Sequence, residues 1–259
     1  MENAPDLPLS LWRFCRQSLF REYGWQFFRH VALPHPLRTV RAMRAAAVLD
    51  VSGDRIQVSA AKSTPEFGGA GAIVGIGFCL KPTDPPCPSG RFNHDCACLE
   101  GPDPADVRNL PAPCRTCAIR ELGLLTLRTG AAFYIMTSAR DILFDVYFPA
   151  LAQQTFATGL FVLCRYSLRP FAVGLLAAGI HGQMWPFATG DCRDYPTWLR
   201  ADRGDKTERT EIAAPDRRTI REFLHATAPA MPPTARFEKR GQVLFPLPGP
   251  AAQETRRLD

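Results

Sequence analysis

Six of the nine cysteines in this 259-residue chain lie in one stretch: Cys79, Cys87, Cys96, Cys98, Cys114 and Cys117. Prolines and glycines interrupt the stretch, and Asp84, His94 and Asp95 stand among the thiols. Thiolates are soft ligands that suit zinc and iron–sulfur centres. A segment this polar has little apolar surface with which to hold itself together, so its composition predicts a thiolate metal centre with these six cysteines as ligands. Cys114-Arg-Thr-Cys117 is a C-x-x-C followed by a segment of helical character. Its second thiol therefore sits near a helix N-terminus, where free N–H groups and the helix dipole favour thiolate. The close pair Cys96-Ala-Cys98 is easier to place on a multinuclear cluster, or with one thiol spare, than on a single ion. His94 and Asp95 are candidates for joining the ligands or bonding their sulfurs, with an ordinary solvated turn as the alternative.

Structural zinc sites commonly use two C-x-x-C pairs, and only one is present. The irregular spacing fits iron–sulfur ligation better, with a 4Fe–4S cluster as the expected cofactor and zinc as the alternative. Thiol–disulfide exchange at Cys114 and Cys117 ranks third. Two more cysteines, Cys164 and Cys192, follow expected strands, which brings the cofactor-binding candidates to eight. Cys192 is also the candidate catalytic thiol. It lies among Asp191, Arg193 and Asp194, and Arg193 is the residue expected to favour its thiolate.

These thiols require elements that position them. Residues 8–32 read as an amphipathic helix with a broad apolar band (Trp12, Leu19, Phe20, Tyr23, Phe27, Val31) and an arginine fringe. A second short helix follows Pro36, and residues 54–60 alternate as a strand. The glycine-rich run 68–78 lacks the lysine and hydroxyl of a phosphate loop. It reads as a buried strand over 72–78 that delivers Cys79, its glycines allowing close approach. From Cys114 the pattern alternates regularly. A helix over 115–129 precedes a strand over 132–136, then a helix over 139–155 that Pro149 threatens to break. A strand over 159–164, a helix over 170–178 and a short strand or turn over 179–184 follow. Alternation at this spacing predicts an α/β fold with a Rossmann-like, mainly parallel sheet, a cysteine-rich loop insertion and an N-terminal amphipathic helix. Parallel pairing would bring Cys79, Thr137–Ser138, Cys164 and Cys192 to one sheet edge, where such folds form their sites. Residues 215–226 read as a capped helix. Three regions result: a helical segment 1–50, a cysteine-rich domain 51–228 with its loop at 79–117, and a Pro-rich, extended or partly disordered tail 229–259.

Composition narrows the function. The net charge of +6 fits an arginine-rich solvated surface, and no aromatic–basic motif or recognition helix argues for nucleic acid. No leader pattern and no uninterrupted apolar span is evident, so the expected location is the cytoplasm, with peripheral membrane or partner docking through residues 8–32. In a reducing compartment clustered cysteines favour metal or redox chemistry over disulfides. No Ser–His–Asp order, HExxH motif or paired carboxylates can be assigned.

The order C-x-x-C, helix, G-x-x-x-YI-x-T, helix, strand ending in Cys, helix, GI and a later Cys resembles an uncharacterised cysteine-rich α/β family of prokaryotes, a domain of unknown function. The residues that carry it are Cys114, Cys117, Gly130, Tyr134, Ile135, Thr137, Cys164, Gly179, Ile180 and Cys192, over about 110–195. That family often has Gly-Gly after the threonine, where this chain has Ser138–Ala139. The resemblance implies an iron–sulfur or metal-bound domain in anaerobic metabolism and names no reaction. The resulting expectation is an iron–sulfur redox protein, in electron transfer or small-molecule reduction, or a cluster-bearing accessory factor. If it is an enzyme, it is an oxidoreductase acting with a redox partner protein or a small-molecule substrate. The alternative is a zinc-stabilised, non-catalytic adaptor.

Overall fold

A computed structural model describes residues 20–59, 66–227 and 236–247. Seven strands form one mixed sheet: β1 (Ile56–Val58), β2 (Ala72–Gly77), β3 (Ala132–Met136), β4 (Thr158–Leu163), β5 (His181–Pro186), β6 (Phe237–Arg240) and β7 (Val243–Pro246), in the order β1-β5-β4-β2-β3-β7-β6. The four central strands pair in parallel, Ile76 opposite Ile135 on one side and Val162 on the other. Antiparallel strands finish both edges: β1 on β5, and the β6–β7 hairpin on β3. Strands β2 and β4 are adjacent, yet the chain leaves β2 towards β3 and returns across it to β4. The reversal opens a crevice at the carboxyl ends of β2 and β4.

The central strands are apolar because both their faces are covered. Along β3 the side chains alternate between two cores: Ala132, Tyr134 and Met136 face one, Phe133 and Ile135 the other. The first core is closed by α1 (Pro36–Ala47), by a helical stretch over 139–153 and by α3 (Leu168–Ala178). The second is closed by α2 (Ala118–Thr129), α4 (Tyr195–Asp202) and α5 (Ala214–Thr227). Left-handed Gly130 and Gly179 end α2 and α3 and turn the chain into β3 and β5. The glycine-rich run serves packing: a Cβ at Gly75 or Gly159 would stand 2.6 or 2.3 Å from ring atoms of Phe161, which lies across both strands. No helix among the described residues is long and apolar enough to cross a membrane.

Several elements depart from the sequence reading. Residues 20–32 are helical as expected, while 8–19 lie outside the described residues. Helix α1 packs with α3 in the first core. Pro149 does not break the 139–153 stretch, because a widened π turn over Leu143–Tyr147 precedes it and relieves the clash with the preceding carbonyl. Helix α4 was not expected; Asp194 caps it by accepting from Thr197 N at 2.8 Å. Residues 237–246, expected as extended tail, form the edge hairpin, and Lys239 pairs there with Asp95 and Glu100 of the cysteine loop.

The segment 78–117 contains only short helical turns at Phe78–Leu80, Ala97–Glu100 and Ala112–Cys114. Two cations hold it, Lys81 buried and Arg91 half-buried. Lys81, 3% exposed, donates to the carbonyls of Gly90 (3.1 Å), Asn93 (3.0 Å) and Asp95 (2.9 Å) and to Asn93 Oδ1. Arg91 donates to the carbonyls of Cys79 (3.3 Å), Glu208 (2.7 Å) and Lys206. The loop is therefore organised by protein groups as well as by its thiols. Replacing Lys81 with methionine strands three carbonyls. It is expected to lower stability by about 2–4 kcal/mol in urea unfolding and to open residues 82–117 to limited proteolysis before the sheet unfolds.

Candidate functional site

The parallel strands bring their following residues to one edge. Cys79 follows β2 within a short helical turn, Thr137 and Ser138 follow β3, Cys164 follows β4, and Cys192 lies in the segment after β5. All eight described cysteines are free thiols, five of them buried: Cys79, Cys96, Cys114, Cys164 and Cys192. They divide into two neighbourhoods.

The first lies in the loop. Cys98 stands beside Cys114, and Cys87 and Cys117 lie within electrostatic reach of Cys114. Cys96 faces Cys98 and Cys117, and burial pushes its thiol up to about 12. Lys81 is the cation beside this group, near Cys87, Cys96 and Cys117. At Cys117 the expected effect of the helix start is present, since the N–H groups of Arg120 and Ile119 favour thiolate, although no side-chain cap forms. Burial outweighs them and the thiol is raised overall. The expected depression is thus reversed. In all, no group of three or more Cys, His, Asp and Glu side chains among the described residues is placed to hold a metal ion as the side chains stand.

The second neighbourhood occupies the crevice between β2 and β4. Cys164 stands beside Cys192, and the two shift in opposite directions: the Cys192 thiol falls, through Cys164 and then Lys206, while Cys164 rises well above the ordinary range. Lys206 Nζ is 3.6 Å from Cys192 Sγ and also reaches the Gly190 carbonyl. Arg193, the residue expected to favour this thiolate, has no part in the shift. Ser167 Oγ lies 2.9 Å from Cys164 Sγ and accepts from Trp198 Nε1 at 2.7 Å. The Asp191 carboxylate accepts from the backbone N–H of Arg165 (2.9 Å) and of Cys192 (3.1 Å), fixing the turn that carries the thiol. Cys79 joins this group, not the loop, with Lys206 and Cys192 as its charged neighbours, and burial raises it to about 12. A lowered thiol in contact with a raised one is the asymmetry of a dithiol that attacks through one sulfur and resolves through the other.

His94 occupies neither of the places expected for it. Its ring is largely covered, stacked on Tyr134 at 5.3 Å, with Nδ1 2.8 Å from the Ile135 carbonyl and Nε2 3.1 Å from Thr137 Oγ1. The carbonyl only accepts, so Nδ1 donates. Thr137 in turn donates to Asp141 Oδ2 at 2.6 Å. His94, then Thr137, and the capping Ser138 hold the Asp141 carboxyl well below the usual carboxylate range. This chain of bonds ties the cysteine loop to the end of β3. Asp95 belongs to the Lys239 pair and does not bond a sulfur. Lys81, Lys206, Arg91, Ser167 and Asp202 carried no sequence signal, because their partners are distant in the chain and mostly backbone.

The chain was compared with protein-family models, with curated proteins and with solved structures, and none of the three finds a match.

Two outcomes follow from the charges at this edge. Iodoacetamide labelling of Cys192, followed by peptide mass spectrometry, is expected to proceed at a lower pH than for an ordinary thiol. Cys164→Ala slows labelling at pH 7 more than Lys206→Met does, and labelling unchanged by both would contradict the assignment. Asp202, which accepts from Ala139 N at 2.7 Å, is raised to about 6, from an ordinary 3.8, by burial and by Asp141 and Glu22. The folded chain keeps this proton where the unfolded chain has lost it, so stability falls as pH rises from about 4 to 6. Asp202→Asn keeps the acceptor and removes the charge. It is expected to gain about 2–3 kcal/mol at pH 7 and nothing at pH 4, read as urea midpoints.

Proposed function

We propose that this chain is an iron–sulfur redox protein, serving electron transfer or small-molecule reduction or acting as a cluster-bearing accessory factor. The observation that carries the reading is the gathering of Cys87, Cys98, Cys114 and Cys117 in one loop beside the buried cation of Lys81. The donor set suits the group: four soft ligands, Cys96 in reserve, and a fixed positive charge that favours the anionic form of the thiols. Loading replaces the thiol protons and requires the side chains to turn towards a common centre. Once bound, a cluster supplies one-electron chemistry at this point of the loop.

The sheet-edge thiols extend the same reading. Oxidation of Cys192 thiolate and Cys164 thiol to a disulfide passes two electrons to the redox partner protein and releases one proton, and Lys206 favours the attacking thiolate. A Rossmann-like reading of the sheet fits this placement, since the pair sits where the strand order reverses. Eight free thiols suit the reducing cytoplasm as the setting.

Anaerobic purification, metal and sulfide analysis and a visible spectrum test the proposal. Iron, acid-labile sulfide and absorbance bleached by dithionite are expected, and Cys114→Ser with Cys117→Ser should remove most of each. Unchanged iron and sulfide in that double variant would sink the ligand assignment. A colourless protein with stoichiometric zinc would instead support the adaptor. Trp25 and Phe28, stacked at 5.9 Å and about half exposed, are the described part of its docking surface.

A further inference from the structure

Against the second core, α2 and α5 border an open cleft of about 480 Å³. Its volume falls within the range of small-molecule sites. Five arginines line it, against one carboxylate, Glu121, an excess of four positive charges before His225 is counted. Glu121 does not neutralise them singly. It takes Arg217 Nε at 2.6 Å and Arg221 Nε at 3.1 Å, and so fixes two guanidinium groups side by side at the rim with N–H groups left over. Arg115 and Arg128 have no carboxylate partner among the described ion pairs.

The fifth arginine sets this cleft apart from a solvated basic surface. Arg120 is only 8% exposed, with one terminal nitrogen donating to the Pro104 carbonyl at 2.8 Å and its buried Nε without any hydrogen-bond partner. A guanidinium withdrawn from water without a carboxylate is costly unless an anion faces it. The N-terminal end of α2, which bears Arg115 and Thr116 just before it, adds positive potential from its free N–H groups.

We infer that this cleft binds a small molecule carrying two or more phosphoryl groups. Planar guanidinium forks bond phosphoryl oxygens two at a time, and paired forks held by one carboxylate suit adjacent phosphoryl groups better than a single charge. The shape disfavours a nucleic-acid strand. The lining contains no Phe, Tyr or Trp on which bases would stack, and its apolar part is Leu124 and Leu125. The site stands apart from the redox reading, although Arg115 and Thr116 lie between Cys114 and Cys117 and place its rim beside that pair.

Isothermal titration of the full chain with pyrophosphate at low salt, with ATP and inorganic phosphate in parallel, tests the inference. One saturable pyrophosphate site is expected, weakened by added salt and at least about tenfold weaker in the double variant Arg128→Ala, Arg221→Ala. Arg221→Lys keeps the charge and loses the fork, so it should fall between. Arg240→Ala, on the edge hairpin and paired with Glu238, is expected to leave affinity unchanged. Both exposed cleft positions tolerate truncation, and thermal melts of each variant confirm the fold. Absence of a saturable pyrophosphate site overturns the inference, as does affinity unchanged in the double variant. Binding of a single-stranded oligonucleotide without pyrophosphate binding overturns it in favour of a nucleic-acid surface.

Discussion

The ammonium group of Lys81 is the tie on which the candidate site depends. It leaves the end of β2, enters the interior of the cysteine loop and gathers carbonyls spaced along residues 90–95. Backbone carbonyls in an irregular loop have no ladder to join, and burying them unpaired is costly. One cation with three protons answers several at once. Arg91 works in the same way from within the loop, fastening it to Cys79 and to the 206–208 segment. Arg165 repeats the device at the end of β4, where one guanidinium nitrogen reaches the carbonyls of Val51, Ser52 and Gly53 at 3.2 Å. Part of the chain's excess of basic residues is thus internal scaffolding.

These cations have an electrostatic consequence for the thiols they accompany. Burial alone raises every cysteine it covers, as at Cys79 and Cys96. A fixed positive charge works against that rise. Lys206 opposes it at Cys79, where burial wins, and at Cys192, where Cys164 tips the balance and the thiol falls. Both thiols have Lys206 as a neighbour, but Cys192 alone has its ammonium at 3.6 Å and Cys164 beside it. On the proposed redox reading, Cys192 is the attacking sulfur and Cys164, at the end of the neighbouring strand β4, its resolving partner.

Much of the frame was legible in the sequence, and the reasons are specific. Strands such as AFYIM and GLFVLC are short, wholly apolar runs between turn signals, which is what a parallel strand covered on both faces requires. Their order then implied that Cys79, Cys164 and Cys192 share an edge. What was not legible depends on contacts far apart in the chain. Lys206 and Arg91 interact with carbonyls or thiols whose identity leaves no periodic trace. The β6–β7 hairpin was obscured by its proline-rich flanks, although Phe237–Arg240 alternate in exposure and left-handed Gly241 turns the chain back. His94 read as a candidate ligand or a solvated turn residue because its neighbours are thiols and polar groups, while its ring is bound to a strand 41 residues away.

The hairpin bears on how the loop functions. Lys239 reaches Asp95 and Glu100 from β6, so the strand that blunts the β3 edge also braces the cysteine loop. His94 ties the same turn to the end of β3 through Thr137 and Asp141. Lys81 draws it towards β2. Three anchors from different elements therefore converge on residues 93–95, immediately before Cys96 and Cys98. On the proposed cluster-binding reading, the freedom to bring thiols to a common centre would come from the far side of the loop, over 101–116, which has few such ties, and from rotation of the cysteine side chains themselves. A loop fixed at one end and adjustable at the other suits a site that has to accept a bound group without disturbing the sheet edge, where the Cys164–Cys192 pair depends on positions held to within a hydrogen bond.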